Sequence, residues 1–100
     1  MNAPLSLPAL EAIRAFEDEM VAIRHQIHAN PEIAYEEFAT ADLVAERLQR
    51  WGYEVHRGLG GTGVVGTLRV GNSARRIGLR ADMDALPIAE TTGKPWASKV

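Results

Sequence analysis

The segment 78–87, GLRADMDALP, places three charged side chains at the end of an apolar run. Arg80, Asp82 and Asp84 follow one another two residues apart, so a strand continuing this far would carry all three on one side. Ligands of open α/β sheets bind beyond the carboxyl ends of strands, where carboxylates can bind a cation or orient a metal ligand. The alternative is a solvated acidic turn in which Arg80 pairs with a carboxylate.

Two histidines form a second candidate cluster. His25 and His28 are three residues apart, a spacing that lets two side chains meet on one helix face and hold a metal ion. The more common reason for histidines near a helix C-terminus is that the dipole favours positive charge there. We therefore expect His28 to be a structural hydrogen-bonding residue at the corner between two helices.

Three further motifs favour structural roles. The glycine-rich stretch 60–63 precedes a strand-like run, whereas a phosphate cradle leads into a helix, so it indicates a flexible connection. Glu36 and Glu37 could form an acid–base pair, but they begin a helical pattern and suit its positive N-terminal end, so helix capping is the better interpretation. Trp51 and Trp96 are interpreted as core or interface residues rather than as stacking platforms.

The composition excludes several classes of protein. Hydrophobic residues make up 46% of the chain and charged residues 24%, with a net charge of −2 and no basic patch, so we expect no nucleic-acid partner. No apolar run approaches the roughly 20 residues of a membrane span, and no signal-peptide pattern is present. We expect no membrane association and a cytoplasmic location. The absence of cysteine excludes disulfides and thiolate metal sites within these residues.

Apolar periodicity predicts two helices before residue 52. The first begins with Ser6 as its cap and ends at Asn30–Pro31, and its apolar stripe consists of Leu10, Ile13, Phe16, Met20, Ile23 and Ile27. The second runs from about residue 36 to residue 51. Gly52 follows it at a position where the left-handed conformation is accessible to glycine.

The pattern then changes to that of strands. Residues 53–56, 64–70 and 76–81 are predicted as strands, and the turn signal at 71–73 would pair the last two in a hairpin. The predicted fold class is therefore α/β, in the order α-α-β-β-β. Because two helices can cover only one face of such a sheet, the other face requires more chain or a partner.

Two segments together resemble the signatures of M20-type metallopeptidases, in the amidohydrolase branch. The first is RHQIHANPE at 24–32, followed by YEE at 35–37 and by Thr40. The second is GVVG at 63–66 with GLRADMDALPI at 78–88 and Glu90. The resemblance spans residues 24–98. It implies the N-terminal part of a zinc-peptidase-like catalytic domain that hydrolyses the amide bond of N-acyl amino acids, such as hippurate.

The resemblance also implies roles for individual residues. The wider family has a metal-binding histidine where this chain has Arg80, and arginine cannot be a metal ligand. Asp82 is then the matching aspartate and the expected catalytic-site residue, orienting a ligand contributed elsewhere. Arg80, Asp84 and His28 are expected to be supporting or structural residues. Two divalent metal ions, Zn or Mn, and a glutamate base are implied for the full-length enzyme, with none of the metal ligands expected within residues 1–100.

Two functional hypotheses follow from these observations. In the first, residues 1–100 are the incomplete N-terminal portion of a single M20-like catalytic domain, inactive alone. The full-length enzyme would then take a small N-acyl amino acid as substrate, and a homodimer is a compatible assembly. In the second, the chain is a stand-alone, non-enzymatic binding or assembly module derived from the same fold.

Overall fold

A computed structural model describes residues 7–98 as three helices followed by one β-hairpin. The helices are α1 (Leu7–Arg14), α2 (Glu17–Ala29) and α3 (Phe38–Arg50), and the strands are β1 (Glu54–Leu59) and β2 (Gly63–Thr67). The mixed class agrees with part of an α/β domain, but the predicted order does not hold. Among the described residues, no helix combines the length and apolar character needed to cross a bilayer.

The predicted first helix is divided in two. At the break, the Phe16 N–H donates to the Ile13 carbonyl at 3.0 Å, which is a tighter turn than an α-helix makes. Glu17, Asp18 and Glu19 fill the first turn of α2, where acidic side chains stabilise a new helix N-terminus. The apolar stripe continues through this break, so periodicity alone does not reveal it. The predicted Ser6 cap lies outside the described residues.

Helix α3 ends before Gly52, as predicted from the sequence. Gly52 has a φ of +88°, its N–H donates to the Gln49 carbonyl at 3.1 Å, and the Tyr53 N–H donates to the Leu48 carbonyl at 2.9 Å. These two bonds make a Schellman motif, which satisfies the last carbonyls of a helix. The predicted helix end at Asn30–Pro31 is also confirmed.

The sheet is a single antiparallel hairpin of β1 and β2. Its register runs from Glu54 opposite Thr67 to Leu59 opposite Gly63, with an irregularity between Arg57 and Leu59. The glycine-rich stretch 60–63 therefore supplies the hairpin connection, residues 60–62, and the first residue of β2, and the predicted hairpin of residues 64–70 and 76–81 is wrong.

Two glycines allow the hairpin to close. A Cβ at Gly63 would lie 2.4 Å from the Leu59 carbonyl oxygen, and a Cβ at Gly66 would lie 3.0 Å from the Leu48 side chain and 3.2 Å from that of Tyr53. Any larger residue at 63 would collide with backbone that cannot move aside. At 66 the missing side chain lets the hairpin pack directly on the end of α3.

The third predicted strand, residues 76–81, does not form. The side chains of Ile77 and Leu79 are 89% and 93% exposed, and no strand lies beside them within residues 7–98. A strand requires a neighbouring backbone as well as a suitable sequence, because unpaired N–H and C=O groups gain nothing from the extended form. The apolar run has a suitable sequence but lacks a neighbouring backbone.

The described residues bury little apolar surface. Among residues 9–98, the buried apolar residues are Ala41 and Ala45 on α3, at 2% and 3% exposure. The Cα radius of gyration is 16.5 Å, compared with about 13 Å for a compact domain of this length. Exposed apolar surface of this kind is typical of a region that another segment or chain covers.

We expect the 100-residue chain to bind the apolar dye ANS and to unfold in urea over a broad range, because few side chains are packed tightly enough to unfold together. Dye fluorescence and far-ultraviolet circular dichroism measure the two properties. A single sharp transition without dye binding would contradict the open apolar surface.

Candidate functional site

The charged tip of the predicted strand, residues 80–84, lies beside the hairpin connection and the residues that precede α3. Together they surround an open cleft of about 290 Å³. The charged and polar side chains that line it are those of Tyr35, Glu37, Thr62, Arg80, Asp82 and Asp84. The structure thus brings three predicted site residues to one cleft. It also brings in the glycine-rich stretch, which the sequence indicated only as a connection.

Arg80 and Asp82 pair with each other at the edge of this cleft. The Arg80 Nη2 atom lies 2.8 Å from Asp82 Oδ1, with the side chains 85% and 66% exposed. An exposed ion pair contributes little stability, and its geometry is that of the solvated-turn alternative. Because the contact uses Oδ1, the second carboxylate oxygen of Asp82 remains an acceptor for another group.

The inner wall of the cleft contains a buried hydrogen bond. The Thr62 hydroxyl donates to Glu37 Oε1 at 3.2 Å, and both residues are buried. Glu37 occupies the N-cap position of α3, yet its side chain makes no capping hydrogen bond. The predicted capping role is therefore wrong for Glu37, whose carboxylate instead joins the start of α3 to the hairpin connection.

Glu32 supplies the cap that Glu37 does not. Glu32 Oε1 accepts hydrogen bonds from the N–H and the hydroxyl of Thr40, both at 2.6 Å, and Oε2 accepts one from the Ala39 N–H at 3.0 Å. These bonds satisfy first-turn N–H groups of α3. Burial acts to raise the pKa of Glu32, but the hydrogen bonds, foremost those of Thr40, outweigh it and the pKa lies below its ordinary value.

The backbone of Glu32 makes a separate contact. Its carbonyl accepts a hydrogen bond from the Ala85 N–H at 2.8 Å. Ala85 follows the charged tip directly, so Glu32 holds the start of α3 with its side chain and the exit of the tip with its main chain.

Tyr35 has an unusual backbone conformation at the mouth of the cleft. Its φ of +68° lies in the left-handed region, which a tyrosine rarely adopts because its Cβ crowds the backbone. The ring is largely exposed. Tyr35 belongs to the first of the two signature segments, and no sequence pattern predicts a strained backbone there.

The two histidines of α2 contact the C-terminal segment of the described chain. His28 Nε2 lies 2.7 Å from Glu90 Oε1, so His28 is hydrogen-bonded as expected but not at the helix–helix corner. The His25 ring stacks on Trp96, with ring centroids 3.9 Å apart and planes inclined by 6°. Lys94 Nζ lies 5.5 Å from the same Trp96 ring. Trp96 is therefore a stacking residue, contrary to the interpretation from sequence.

Glu90 makes two further hydrogen bonds besides its contact with His28. The Thr92 hydroxyl donates to Glu90 Oε2 at 2.5 Å, and the Glu90 N–H donates to the Ser98 carbonyl at 2.7 Å. The hydrogen bond from Thr92, followed by that from His28, lowers the pKa of Glu90. Glu90 therefore stays ionised at neutral pH as an acceptor at the centre of this segment.

The described residues do not make a metal centre by themselves. Within residues 7–98, no group of three or more histidine, cysteine, aspartate or glutamate side chains is arranged to hold a metal ion. Asp82 pairs with an arginine, which cannot be a ligand. His25 and His28 face different partners, so the predicted alternative of a two-histidine metal site has no support from their positions.

Comparison with known proteins identifies relatives over most of the chain. Hippurate hydrolase of Campylobacter jejuni is 57% identical over 83 residues, which are 83% of this chain and 22% of that protein. Thermostable carboxypeptidase 2 of Saccharolobus solfataricus is 46% identical over 89 residues, covering 88% of this chain and 23% of its own length. N-acetyl-L-cysteine deacetylase of Bacillus subtilis is 37% identical over 87 residues, with coverages of 87% and 21%.

The chain belongs to the amidohydrolase branch of the M20-type metallopeptidase family. It spans between a fifth and a quarter of the length of these relatives. No family model and no solved structure matches it.

In this M20-type chain the two signature segments contact each other. The backbone bond from Ala85 to Glu32 and the bond between His28 and Glu90 both join residues 24–40 to residues 78–90. The two segments are recognisable from their motifs, but the motifs do not predict which of their residues are in contact. These contacts join residues about 50 to 60 positions apart in the chain, and patterns among neighbouring residues do not predict them.

We expect the Glu32→Ala variant to lose protection of the Ala39 and Thr40 amides, at a cost of about 1 kcal/mol to α3, because the cap is removed. A carboxyl whose pKa is lowered by folding stabilises the fold above its ordinary pKa of 4.5, and this contribution is lost as the pH falls through the lower folded value. The difference between wild type and variant should therefore shrink in acid. Amide hydrogen exchange at neutral pH and circular dichroism across the acid range measure these effects.

Glu36→Ala is the matched control for this variant, since Glu36 is an exposed glutamate of the same loop. It should leave the Ala39 and Thr40 amides unchanged. Equal effects of the two substitutions would contradict the capping role of Glu32.

Proposed function

We propose that this chain forms part of a metal-dependent amidohydrolase that cleaves the amide bond of N-acyl amino acids, with hippurate-like substrates. The identity of 57% with a hippurate hydrolase supports this substrate class, and the N-acetyl-L-cysteine deacetylase by its name also acts on an N-acyl amino acid. Because the chain spans 22% of the hippurate hydrolase, the activity is assigned to a longer protein. Residues 1–100 would be the N-terminal portion of its single catalytic domain.

The observation that carries the proposal is the position of the tip residues 80–84 at the cleft. Asp82 lines the cleft with one carboxylate oxygen paired to Arg80 and the other open as an acceptor. A carboxylate at this position can accept a hydrogen bond from a neighbouring metal ligand and so orient that ligand. In the proposed enzyme Asp82 is therefore an orienting residue, while Arg80 and Asp84 shape and charge the same wall.

The proposal requires two divalent metal ions, Zn or Mn, which would supply an activated water for hydrolysis. The described residues lack a group able to hold such an ion. We therefore assign the metal ligands to residues outside 7–98.

A net charge of −2 without a basic patch argues against a nucleic-acid partner, and the proposed partner is a small-molecule N-acyl amino acid. We propose a cytoplasmic enzyme without membrane association, whose full-length form is compatible with a homodimer.

A second candidate is a stand-alone, non-enzymatic binding or assembly module. The exposed apolar side chains of residues 77 and 79 favour it, since they suit a protein–protein contact as well as the covered face of a longer domain. In such a module the charged cleft would have no catalytic role. The two candidates differ in what substitution of Asp82 should do.

Transfer of this chain into a relative tests the proposed function. A chimera of the Campylobacter jejuni hippurate hydrolase, carrying this chain in place of its matching region, should hydrolyse hippurate. In that chimera Asp82→Asn should lower kcat about 10-fold to 100-fold, the usual effect of removing a group that orients a ligand. Release of glycine measures the rate.

Asp18→Asn is the control for this chimera, because Asp18 is an exposed aspartate in the first turn of α2. It should retain the parental rate. A folded, metal-loaded chimera without activity would contradict the proposed function. Full activity of the Asp82→Asn chimera would contradict the role of Asp82.

We further expect no specific binding of Zn²⁺ or Mn²⁺ by the 100-residue chain, because its described residues lack a suitable group of ligands. Equilibrium dialysis against micromolar metal measures this directly. Stoichiometric retention of either metal would show that the ligands lie within this chain.

A further inference from the structure

We propose that His28 and Glu90 are positioning residues that clasp the segment after the charged tip to the end of α2, and so hold Asp82 where the reaction needs it. The role in the reaction rests on the function proposed above. The clasp itself is a feature of this chain and can be tested separately.

Three contacts make up the clasp between the end of α2 and residues 85–98. His28 Nε2 is 2.7 Å from Glu90 Oε1, and three residues earlier the His25 ring stacks on Trp96 at 3.9 Å. Just beyond α2, the Glu32 carbonyl accepts the Ala85 N–H at 2.8 Å. The segment is therefore fixed at its beginning, near its middle and close to its end.

Among residues 7–98, no backbone hydrogen bond anchors residues 76–84 themselves. Residues 76–84 form no strand within the described chain, and the ion pair between Arg80 and Asp82 joins the tip only to itself. Ala85 lies three residues after Asp82, a span of at most about 11 Å. The anchored segment is thus the nearest fixed structure from which the Asp82 carboxylate takes its position.

His28 and Glu90 are suited to hold this segment at a particular place. Glu90 uses its two carboxylate oxygens separately, Oε1 toward His28 and Oε2 toward Thr92, so its orientation is fixed from two sides. His28 is half-exposed and lines an open cavity of about 370 Å³ with Leu86 and Ile88. The imidazole therefore adds little apolar packing, and His28 holds the segment through its hydrogen bond to Glu90.

The first test uses the active chimera. His28→Ala and Glu90→Ala should each lower kcat for hippurate about 10-fold, the lower end of the range for groups that support a ligand-orienting residue, with little change in KM. The double variant should lose no more than the worse single variant, because both substitutions break the same contact. His28→Gln keeps a side-chain N–H donor and should recover much of kcat.

The matched control is His56→Ala. His56 and Glu54 form another histidine–glutamate pair, at 3.5 Å on the exposed face of β1, and this substitution should leave kcat unchanged. An active chimera in which His28→Ala and Glu90→Ala keep full kcat, or lose activity only through KM, would overturn the positioning role.

The second test uses the 100-residue chain and does not depend on catalysis. With Trp51→Phe, Trp96 becomes the single tryptophan, and its emission reports the stacked state. His28→Ala should shift that emission to longer wavelength and accelerate exchange of the Ala85 amide, whereas His56→Ala should change neither. If the parent chimera is inactive, the proposed function fails while this test still decides the clasp. Unchanged Trp96 emission and Ala85 exchange in His28→Ala would overturn it.

Discussion

The hydrogen bonds of Glu32 connect the helical part of this chain to its charged tip. The carboxylate caps α3 through Thr40 and Ala39, and the carbonyl of the same residue binds the Ala85 N–H. The preceding Pro31 ends α2 and leaves the chain extended at this point. One residue thus sets the relation between the start of α3, the end of α2 and the exit of residues 80–84, and the cleft depends on all three.

Polar contacts have this importance because the apolar core is so small. Two alanines of α3 are the buried apolar residues of the described chain, and an ordinary hydrogen bond contributes only about 1 kcal/mol. No large apolar core holds these elements in place. Their arrangement therefore depends on the Glu37–Thr62 bond, the Glu32 cap and the His28–Glu90 bond together. This organisation agrees with the proposal that the chain is one portion of a larger catalytic domain, whose remaining segments would cover the exposed apolar residues.

Local signals predicted local structure. Gly52 marked the end of α3 and adopts the left-handed conformation it was expected to adopt, and Asn30–Pro31 marked the end of α2. The prediction of a third strand is wrong because residues 76–81 have the propensity for a strand but no partner backbone among the described residues. The prediction of one continuous first helix is wrong because the acidic residues 17–19 begin a new helix without interrupting the apolar stripe. The M20-type family was recognised from two motifs, whereas the partners of Glu32, Glu37 and His28 depend on tertiary contacts that spacing does not encode.

The hydrogen bond between Ala85 and Glu32 is the contact through which the charged tip is placed, and it can be observed directly. In the uniformly labelled 100-residue chain, scalar coupling across a hydrogen bond reports a bond between the Ala85 amide nitrogen and the Glu32 carbonyl carbon. The structure predicts a detectable coupling, together with slow exchange of the Ala85 amide. Absence of the coupling, with Ala85 exchanging as fast as an unstructured amide, would contradict this account of how the tip and its aspartate are held.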